Sequence, residues 1–280
     1  MGLFRKKGET VIAPPEPLVR DNANWRDWSH KGFTQFESGD TPSAILHWVG
    51  AVDRCPDPTT KQFNLFRDDI YRAFLRQLED GTRNGLVIPL HLVAEVDAEI
   101  YVKHHGVFEG HLTEKLFYDV KEMISGATGP QEVTTLFVSG VFAIVGQLRY
   151  IADMREAVSK CQEGLLLGSH AISLCEDFQK TKFTGRLRPK AAIEFIDALN
   201  YTFRRIIGEL EKTLGEMDEE RLLALREYRR THVEDRLKHI GAAFHLSINA
   251  IGVGHISSKK LDEGLSTEIP AYVEDFLRME

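Results

Sequence analysis

The chain has 280 residues, of which 42% are hydrophobic and 28% are charged, and its formal net charge is −7. These proportions are typical of a folded globular protein and exclude a low-complexity or intrinsically disordered chain. The acidic excess argues against a dedicated nucleic-acid-binding protein, which needs a basic surface to displace counterions from phosphates. The three cysteines, Cys55, Cys161 and Cys175, fit neither a zinc motif nor a disulfide framework, so we expect a cytoplasmic protein.

Three parts are predicted along the chain. Residues 1–23 contain the closely spaced prolines of VIAPPEP and are expected to form a flexible tail. A weak peripheral contact through this tail is the only membrane association that we expect. Residues 24–180 are predicted to form a helical-repeat-like domain. Residues 181–280 are predicted to form a long helical hairpin with a short C-terminal helix, packed on the first domain.

Helical periodicity dominates the sequence from Trp25 onward. Nearly every segment has apolar residues at helical spacing, and none shows a convincing strand-like alternation bounded by hairpin turns. We therefore predict an all-α fold of antiparallel helical hairpins, arranged as a solenoid or as a helical bundle. The longest apolar stretch, from Val133 to Leu148, is shorter than a bilayer crossing requires and is predicted to be a buried core helix.

Capping residues predict where several helices begin and end. Thr41 followed by Pro42 predicts an N-cap with proline at the first helical position. Gly81 is predicted to stop the third helix, because glycine tolerates the left-handed conformation of a helix C-terminus. Asp153 predicts the start of a long helix that extends to Phe178.

Small and large side chains alternate at regular intervals across residues 24–56. Gly39 and Asp40 make the predicted turn between two helices, where small residues on one helix would face large ones on the other. The pattern consists of Trp28, Gly32, Gly39, Asp40, Ala44, Trp48, Ala51 and Pro56. At this spacing it resembles one tetratricopeptide repeat, although Lys31 and Gln35 stand where that family usually has leucine and tyrosine.

A weaker echo of the same spacing lies near residues 145–167. There Ala157, Cys161 and Gly164 repeat the small, large, small order of the second helix. One period of about 34 residues beyond the first hairpin, however, the pattern fails. The resemblance therefore implies either a degenerate repeat array or one repeat among unrelated helical hairpins.

The resemblance implies a non-enzymatic adaptor, scaffold or assembly factor that binds another protein or another copy of itself. In this family the first helix of a repeat carries the binding residues, and the corresponding positions here are Arg26, Ser29, Phe33 and Phe36. Ser29 and Phe33 do not supply the basic and amide groups that clamp a terminal carboxylate, so an apolar or aromatic groove is expected. The alternative is that Phe33 and Phe36 belong only to the core.

Catalytic signatures are not found: the sequence has no nucleophile elbow, phosphate-binding loop or dinucleotide fingerprint. We therefore predict neither an enzymatic activity nor a cofactor. The alternative function is a helical metalloprotein that holds iron, manganese or zinc through imidazole and carboxylate groups. Its candidate ligands are His91, Glu95, Glu99, His104, His105 and His111. A solvated charged helix face explains the same residues, because none of the known metal-binding motifs is present.

A basic connector separates two long predicted helices. Its cationic residues are Lys180, Lys182, Arg186, Arg188 and Lys190. Such a loop could bind an acidic partner, a phosphate group or a membrane surface. Alternatively, its cations offset the dipole at the end of the preceding helix and keep an exposed loop soluble.

Overall fold

A computed structural model describes residues 24–104, 111–151, 153–216 and 218–231. Within these ranges the chain is all-α, as predicted, and contains no β-strand. The helices are α1 (Trp25–Glu37), α2 (Thr41–Arg54), α3 (Lys61–Asn84), α4 (Val93–Lys103), α5 (Leu112–Ser125), α6 (Pro130–Tyr150), α7 (Met154–Lys180), α8 (Pro189–Glu216) and α9 (Glu219–Thr231). A 3₁₀ turn, Leu90–Leu92, precedes α4. The predicted tail at 1–23 and the predicted C-terminal helix lie outside the described residues.

The turn between α1 and α2 differs from the prediction by one residue. Gly39 has a φ of +88°, the left-handed conformation expected for it. The N-cap of α2 is Asp40 rather than Thr41, because the Asp40 carboxylate accepts a hydrogen bond of 3.2 Å from the Ser43 amide. Pro42 lies in the first turn, where its missing N–H costs no helical hydrogen bond.

Two other predicted helix boundaries have different outcomes. The helix α3 passes through Gly81 and ends at Gly85, whose φ is +69°. Gly81 instead makes room for Ile88, since an added Cβ would lie 2.6 Å from the Ile88 Cδ1. The prediction that Asp153 caps α7 is confirmed, because its Oδ1 accepts a hydrogen bond of 2.8 Å from the Arg155 amide.

Small residues bring α1 and α2 close together, as the spacing predicted. Gly32 lies directly against the indole of Trp48, and an added methyl group would overlap that ring. Gly50 provides the reciprocal space for Trp28, whose Cε3 would be 2.5 Å from an added Cβ. The guanidinium of Arg54 stacks over Trp28 at 4.0 Å from its ring centroid, a cation–π contact that closes the edge of this packing.

The helices α1 and α3 lie side by side and run in the same direction. Near their N-terminal ends, the rings of Trp25 and Phe63 are 5.9 Å apart. Further along both helices, the rings of Phe36 and Phe74 are 5.1 Å apart. Aromatic side chains thus join α1 to α3. The helix α2 also contacts α3, because the ring of Trp48 lies 6.3 Å from that of Phe74.

The helix α6 lies at the centre of the described helices. Both α4 and α5 pack against it, and so do α7 and α8, while α2 packs against α4. Residues 130–148 are long and apolar enough to cross a membrane by length and composition, but 83% of that stretch is buried inside the protein. The prediction of a buried core helix is confirmed here, since bulky side chains such as Phe137 and Ile144 have no exposed surface.

Tyr71 lies where α3 meets α5. The ammonium of Lys115 is 3.7 Å from the centroid of its ring. Burial, together with the neighbouring carboxylate of Asp119, raises the pKa of Tyr71 to about 12. The phenol therefore stays protonated in the folded protein at pH values at which an exposed tyrosine ionises.

Two glycines on α7 accept side chains from α8. Gly164 faces the ring of Phe203, and Gly168 faces the amide of Asn200. The later glycine of α7 faces the earlier residue of α8, so the two helices are antiparallel. Asn200 is only 1% exposed, and its amide forms no hydrogen bond with a residue in the described ranges. The helix α8 packs against α6 and α7, so contacts cross position 180 of the chain, where a domain boundary was predicted. That boundary stays a prediction.

Candidate functional site

An open groove of about 500 Å³ lies between α1 and α3. The α1 side is formed by Phe33, Phe36 and Glu37. The α3 side is formed by Asp69, Arg72, Ala73, Arg76, Gln77 and Asp80. These positions on α3 recur at intervals of three and four residues, which places them along one face of that helix.

Two aromatic rings form the floor of the groove. Phe33 and Phe36 are both half-buried, so each packs against the core on one side and keeps part of its ring accessible. Their ring centroids lie 5.0 Å and 5.4 Å from that of Trp48, which is completely buried. The fixed indole of Trp48 therefore holds the floor in place, and the floor presents apolar surface to anything that enters.

The α3 wall carries charges on both sides of a small residue. Ala73 leaves space opposite the phenylalanines. Arg72 precedes it in the sequence, and Arg76 lies about one helical turn beyond it. Arg72 forms a long ion pair of 3.8 Å with Asp69, and both side chains are more than half exposed. Exposed pairs of this kind contribute little to stability, so these side chains are free to reorient toward a ligand.

Gln77 lies one helical turn beyond Ala73 on the same wall. Its side-chain oxygen Oε1 is buried and accepts no hydrogen bond from the residues that the structure describes. A buried acceptor without a donor costs roughly 1–3 kcal/mol. Rotation of the amide toward the groove would let a ligand N–H or O–H supply the missing hydrogen bond.

The four predicted partner-binding residues divide into two pairs. Phe33 and Phe36 line the groove, whereas Arg26 and Ser29 do not. Arg26 instead donates a hydrogen bond to Gln62 near the N-terminal end of α3. Sequence reasoning did not identify α3 as the second wall, because its contacts with α1 join residues more than thirty positions apart.

The predicted metal ligands do not share one environment. His91 is 3% exposed and stacks on Phe142 at 4.7 Å between ring centroids. His104 packs edge-on against Phe63, and His111 contacts Tyr150 at 4.4 Å.

Glu95 and Glu99 are both half-buried on α4, and His105 lies outside the described residues. Across the described ranges, no three histidine, cysteine or acidic side chains are close enough together to hold a metal ion. The described residues therefore provide no observation that supports the metalloprotein alternative.

A carboxylate that the sequence reasoning passed over has a clear structural role in this region. Asp97, on α4, is 1% exposed and accepts hydrogen bonds of 2.9 Å from the backbone amides of Leu112 and Thr113. It also accepts a 2.7 Å bond from the Thr113 hydroxyl, which in turn contacts the Tyr150 hydroxyl at 2.7 Å. Burial, followed by the charge of Asp97, raises the pKa of Tyr150 well above that of a free tyrosine. Asp97 thus caps α5 from a neighbouring helix.

The basic connector is exposed between α7 and α8. Lys180 forms a 2.9 Å ion pair with Asp177, and Lys190 lies 3.8 Å from Glu194, so two of its cations are paired within their own helices. Lys182 has a φ of +57°, a left-handed conformation at the turn after α7. Arg186 and Arg188 are exposed in the loop that follows. These cationic side chains are distributed along an exposed segment and do not enclose a binding site.

The three cysteines are free and buried. Burial raises the pKa of the Cys161 thiol to about 12 and that of Cys175 to about 11. A thiol with so high a pKa is not a reactive nucleophile at neutral pH.

Comparison with known proteins identified no relative of this chain. No protein-family model matches the sequence, and neither a curated protein nor a solved structure is significantly similar to it.

Proposed function

We propose that this protein is a non-enzymatic adaptor, scaffold or assembly factor that binds a peptide segment of another protein in the groove between α1 and α3. The observation that carries the proposal is the aromatic floor formed by Phe33 and Phe36. These rings keep accessible surface although Trp48 fixes them from behind. Rigid aromatic surface of this kind is a common anchor for binding, because little side-chain entropy is lost on contact.

The relative placement of α1 and α3 supports the same proposal. In stacked helical repeats, corresponding helices of successive units lie side by side and create an extended binding surface. Here α1 and α3 run in the same direction and border the groove. We propose that α1 and α2 form a tetratricopeptide-like unit and that α3 begins the next, less regular one.

Filling the groove without disturbing its floor provides the test. Ala73 is half-buried in the wall, so Ala73→Tyr would occupy space above Phe36 while leaving both phenylalanines in place. Ala191, an exposed residue on α8, supplies the matched control Ala191→Tyr. Partners are captured from the source cell with each full-length variant and identified by mass spectrometry. The affinity of each recovered partner is then measured with purified proteins.

We expect Ala73→Tyr to weaken the binding of at least one specific partner by tenfold or more, since it removes the space for the anchor side chain. Ala191→Tyr should retain wild-type affinity. Melting curves establish that both variants are folded. If folded Ala73→Tyr binds every recovered partner as tightly as the wild type does, the groove is not the binding site and the proposal is wrong.

A further inference from the structure

We infer that the basic connector between α7 and α8 is an intramolecular docking surface for the acidic segment 261–280 of this chain. The connector takes no part in the groove between α1 and α3. Three observations lead to this inference: the way in which the connector is held against the protein, the charges that it leaves unpaired, and the opposite charge of the segment.

Two apolar side chains hold the connector against the rest of the protein. Phe183 lies over Gly129, where an added Cβ would be 2.9 Å from the phenyl ring. The same ring has its centroid 6.1 Å from that of Phe178. Leu187 packs against the hydrophobic core. The connector is thus anchored at two points, and the cationic residues on either side of these anchors are exposed.

The connector keeps three cations without a partner. Five cations and no carboxylate occur between positions 178 and 193, in a chain whose formal net charge is −7. The ion pairs described above use two of the five. The other three, on Lys182, Arg186 and Arg188, form no ion pair with a residue in the described ranges. Exposed cations in a chain with an acidic excess attract the carboxylates of that chain.

The carboxylates around the connector do not neutralise it. Asp177 and Glu194 are each paired with one lysine of the connector. Glu132, in the first turn of α6, accepts hydrogen bonds of 2.7 Å and 2.9 Å from Thr128. Glu176 is one further carboxylate, exposed on α7. Positive charge therefore remains in excess on this surface.

Residues 261–280 carry the complementary charge. They contain one cation, Arg278, and six carboxylates. These are Asp262, Glu263, Glu268, Glu274, Asp275 and Glu280. Nucleic acid or an anionic membrane would meet the acidic excess of the rest of the chain, which repels it. The segment is instead kept near the connector by its covalent linkage.

The chain is long enough to bring this segment to the connector. The helix α8 has 28 residues, so it separates the connector from the start of α9 by about 42 Å. The helix α9 adds at most about 20 Å. Residues 232–260 can span up to about 95 Å when extended. Tethering raises the local concentration of the segment, so exposed ion pairs that are weak individually suffice for docking.

Zero-length cross-linking of the full-length protein tests this contact. A carbodiimide joins a lysine amine to a carboxylate that touches it, and mass spectrometry of tryptic peptides identifies the linked residues. Lys182 is the reporter on the connector. The wild type is compared with Arg186→Glu/Arg188→Glu and with the matched control Lys61→Glu/Lys121→Glu, which reverses two exposed cations on α3 and α5.

The monomeric wild type should form cross-links between Lys182 and carboxylates of residues 261–280 at low salt. Their yield should fall at least fivefold in about 0.5 M salt, which screens exposed charges. It should fall as much in Arg186→Glu/Arg188→Glu and change less than twofold in the control. Addition of Glu274→Lys/Asp275→Lys to the connector variant reverses both partners. Cross-linking between connector and segment should then return to at least half of the wild-type yield.

Four results would overturn the inference. Two are the absence of cross-links between Lys182 and the segment, and a yield that is unchanged in Arg186→Glu/Arg188→Glu. Cross-links confined to a dimer separated by gel filtration would identify a second copy of the chain as the occupant. If no such cross-link forms, and vesicles containing phosphatidylserine bind the wild type but not Arg186→Glu/Arg188→Glu, the occupant is an anionic membrane.

Discussion

Replacement of Gly32 by alanine tests the packing that holds the groove in place. The added methyl group would overlap Cδ1 and Nε1 of Trp48 and lie 3.1 Å from its Cε2. Trp48 has no exposed surface and packs against Phe33 and Phe36, so its ring has no space into which it can move. The substitution must therefore displace α1 from α2 or distort the floor of the groove.

The expected magnitude follows from two opposing effects. Overpacking of a well-filled core costs about 1–3 kcal/mol, and the complete burial of Trp48 places Gly32→Ala at the upper end of that range. Alanine is the better helix former by about 1 kcal/mol, which offsets part of this cost. We therefore expect a loss of about 2 kcal/mol in the free energy of unfolding and a fall in Tm of roughly 4–8 °C.

Urea unfolding followed by tryptophan fluorescence is a suitable assay. All three tryptophans of the chain, Trp25, Trp28 and Trp48, lie on α1 and α2, so the signal reports on this part of the structure. Gly208→Ala is the matched control, because an added Cβ at that position of α8 meets no atom within 4 Å. It should stabilise the protein by about 0.5–1 kcal/mol through helix propensity alone.

The two glycine variants must change stability in opposite directions. If Gly32→Ala is neutral, or if it stabilises the protein as Gly208→Ala does, the close approach of α1 and α2 is refuted. A second check is the double variant Gly32→Ala/Trp48→Phe, in which the smaller ring should relieve the overlap. Its loss of stability should be less than the sum of the two single losses by about 1 kcal/mol or more.

Two further predictions concern buried polar groups. Asp97→Ala should lower the free energy of unfolding by about 3 kcal/mol, since it leaves the buried amides of Leu112 and Thr113 without their acceptor. Urea unfolding measures this loss, and a value below about 1 kcal/mol would contradict the capping role. Tyr71 should reduce stability at high pH, because its raised folded-state pKa gives a stabilisation that is complete below about pH 10 and is lost as the pH rises through about 12. Tyr71→Phe should flatten the dependence of Tm on pH between these values, and an unchanged slope would show that Tyr71 ionises as it does in the unfolded chain.

Local patterns in the sequence predicted the helices and the close approach within the first hairpin. Apolar spacing is a property of one helix, so it identified α1 and α2 without knowledge of the rest of the fold. The sequence predicted that small residues would face large ones there, and the structure shows that Gly32 faces Trp48. The cap of α2 was misplaced by one residue because Asp40 and Thr41 are both good N-cap residues. Only the geometry shows which side chain reaches the Ser43 amide.

Features that depend on distant residues were not predicted. The α3 wall of the groove has an ordinary charged helix face, and nothing in its own spacing indicates that Phe33 and Phe36 lie opposite. Asp97 was similarly missed, because a carboxylate that caps another helix fifteen residues away has the same local pattern as a solvated one. The spacing of His91 and Glu95 predicted a shared helical face, but His91 precedes α4 in the 3₁₀ turn and packs on Phe142.

The antiparallel contact between α7 and α8 has a consequence for how the chain can vary. The amide of Asn200 fits only over a residue without a side chain, and Gly168 provides that position. If α8 slid by one turn toward Ile172, the amide would meet a branched side chain. The fit of Asn200 over Gly168 therefore opposes a slide of α8 in that direction. A one-residue insertion between Gly164 and Gly168 would rotate one glycine by about 100° away from α8, so length changes should be tolerated in the connecting loop and not within these helices.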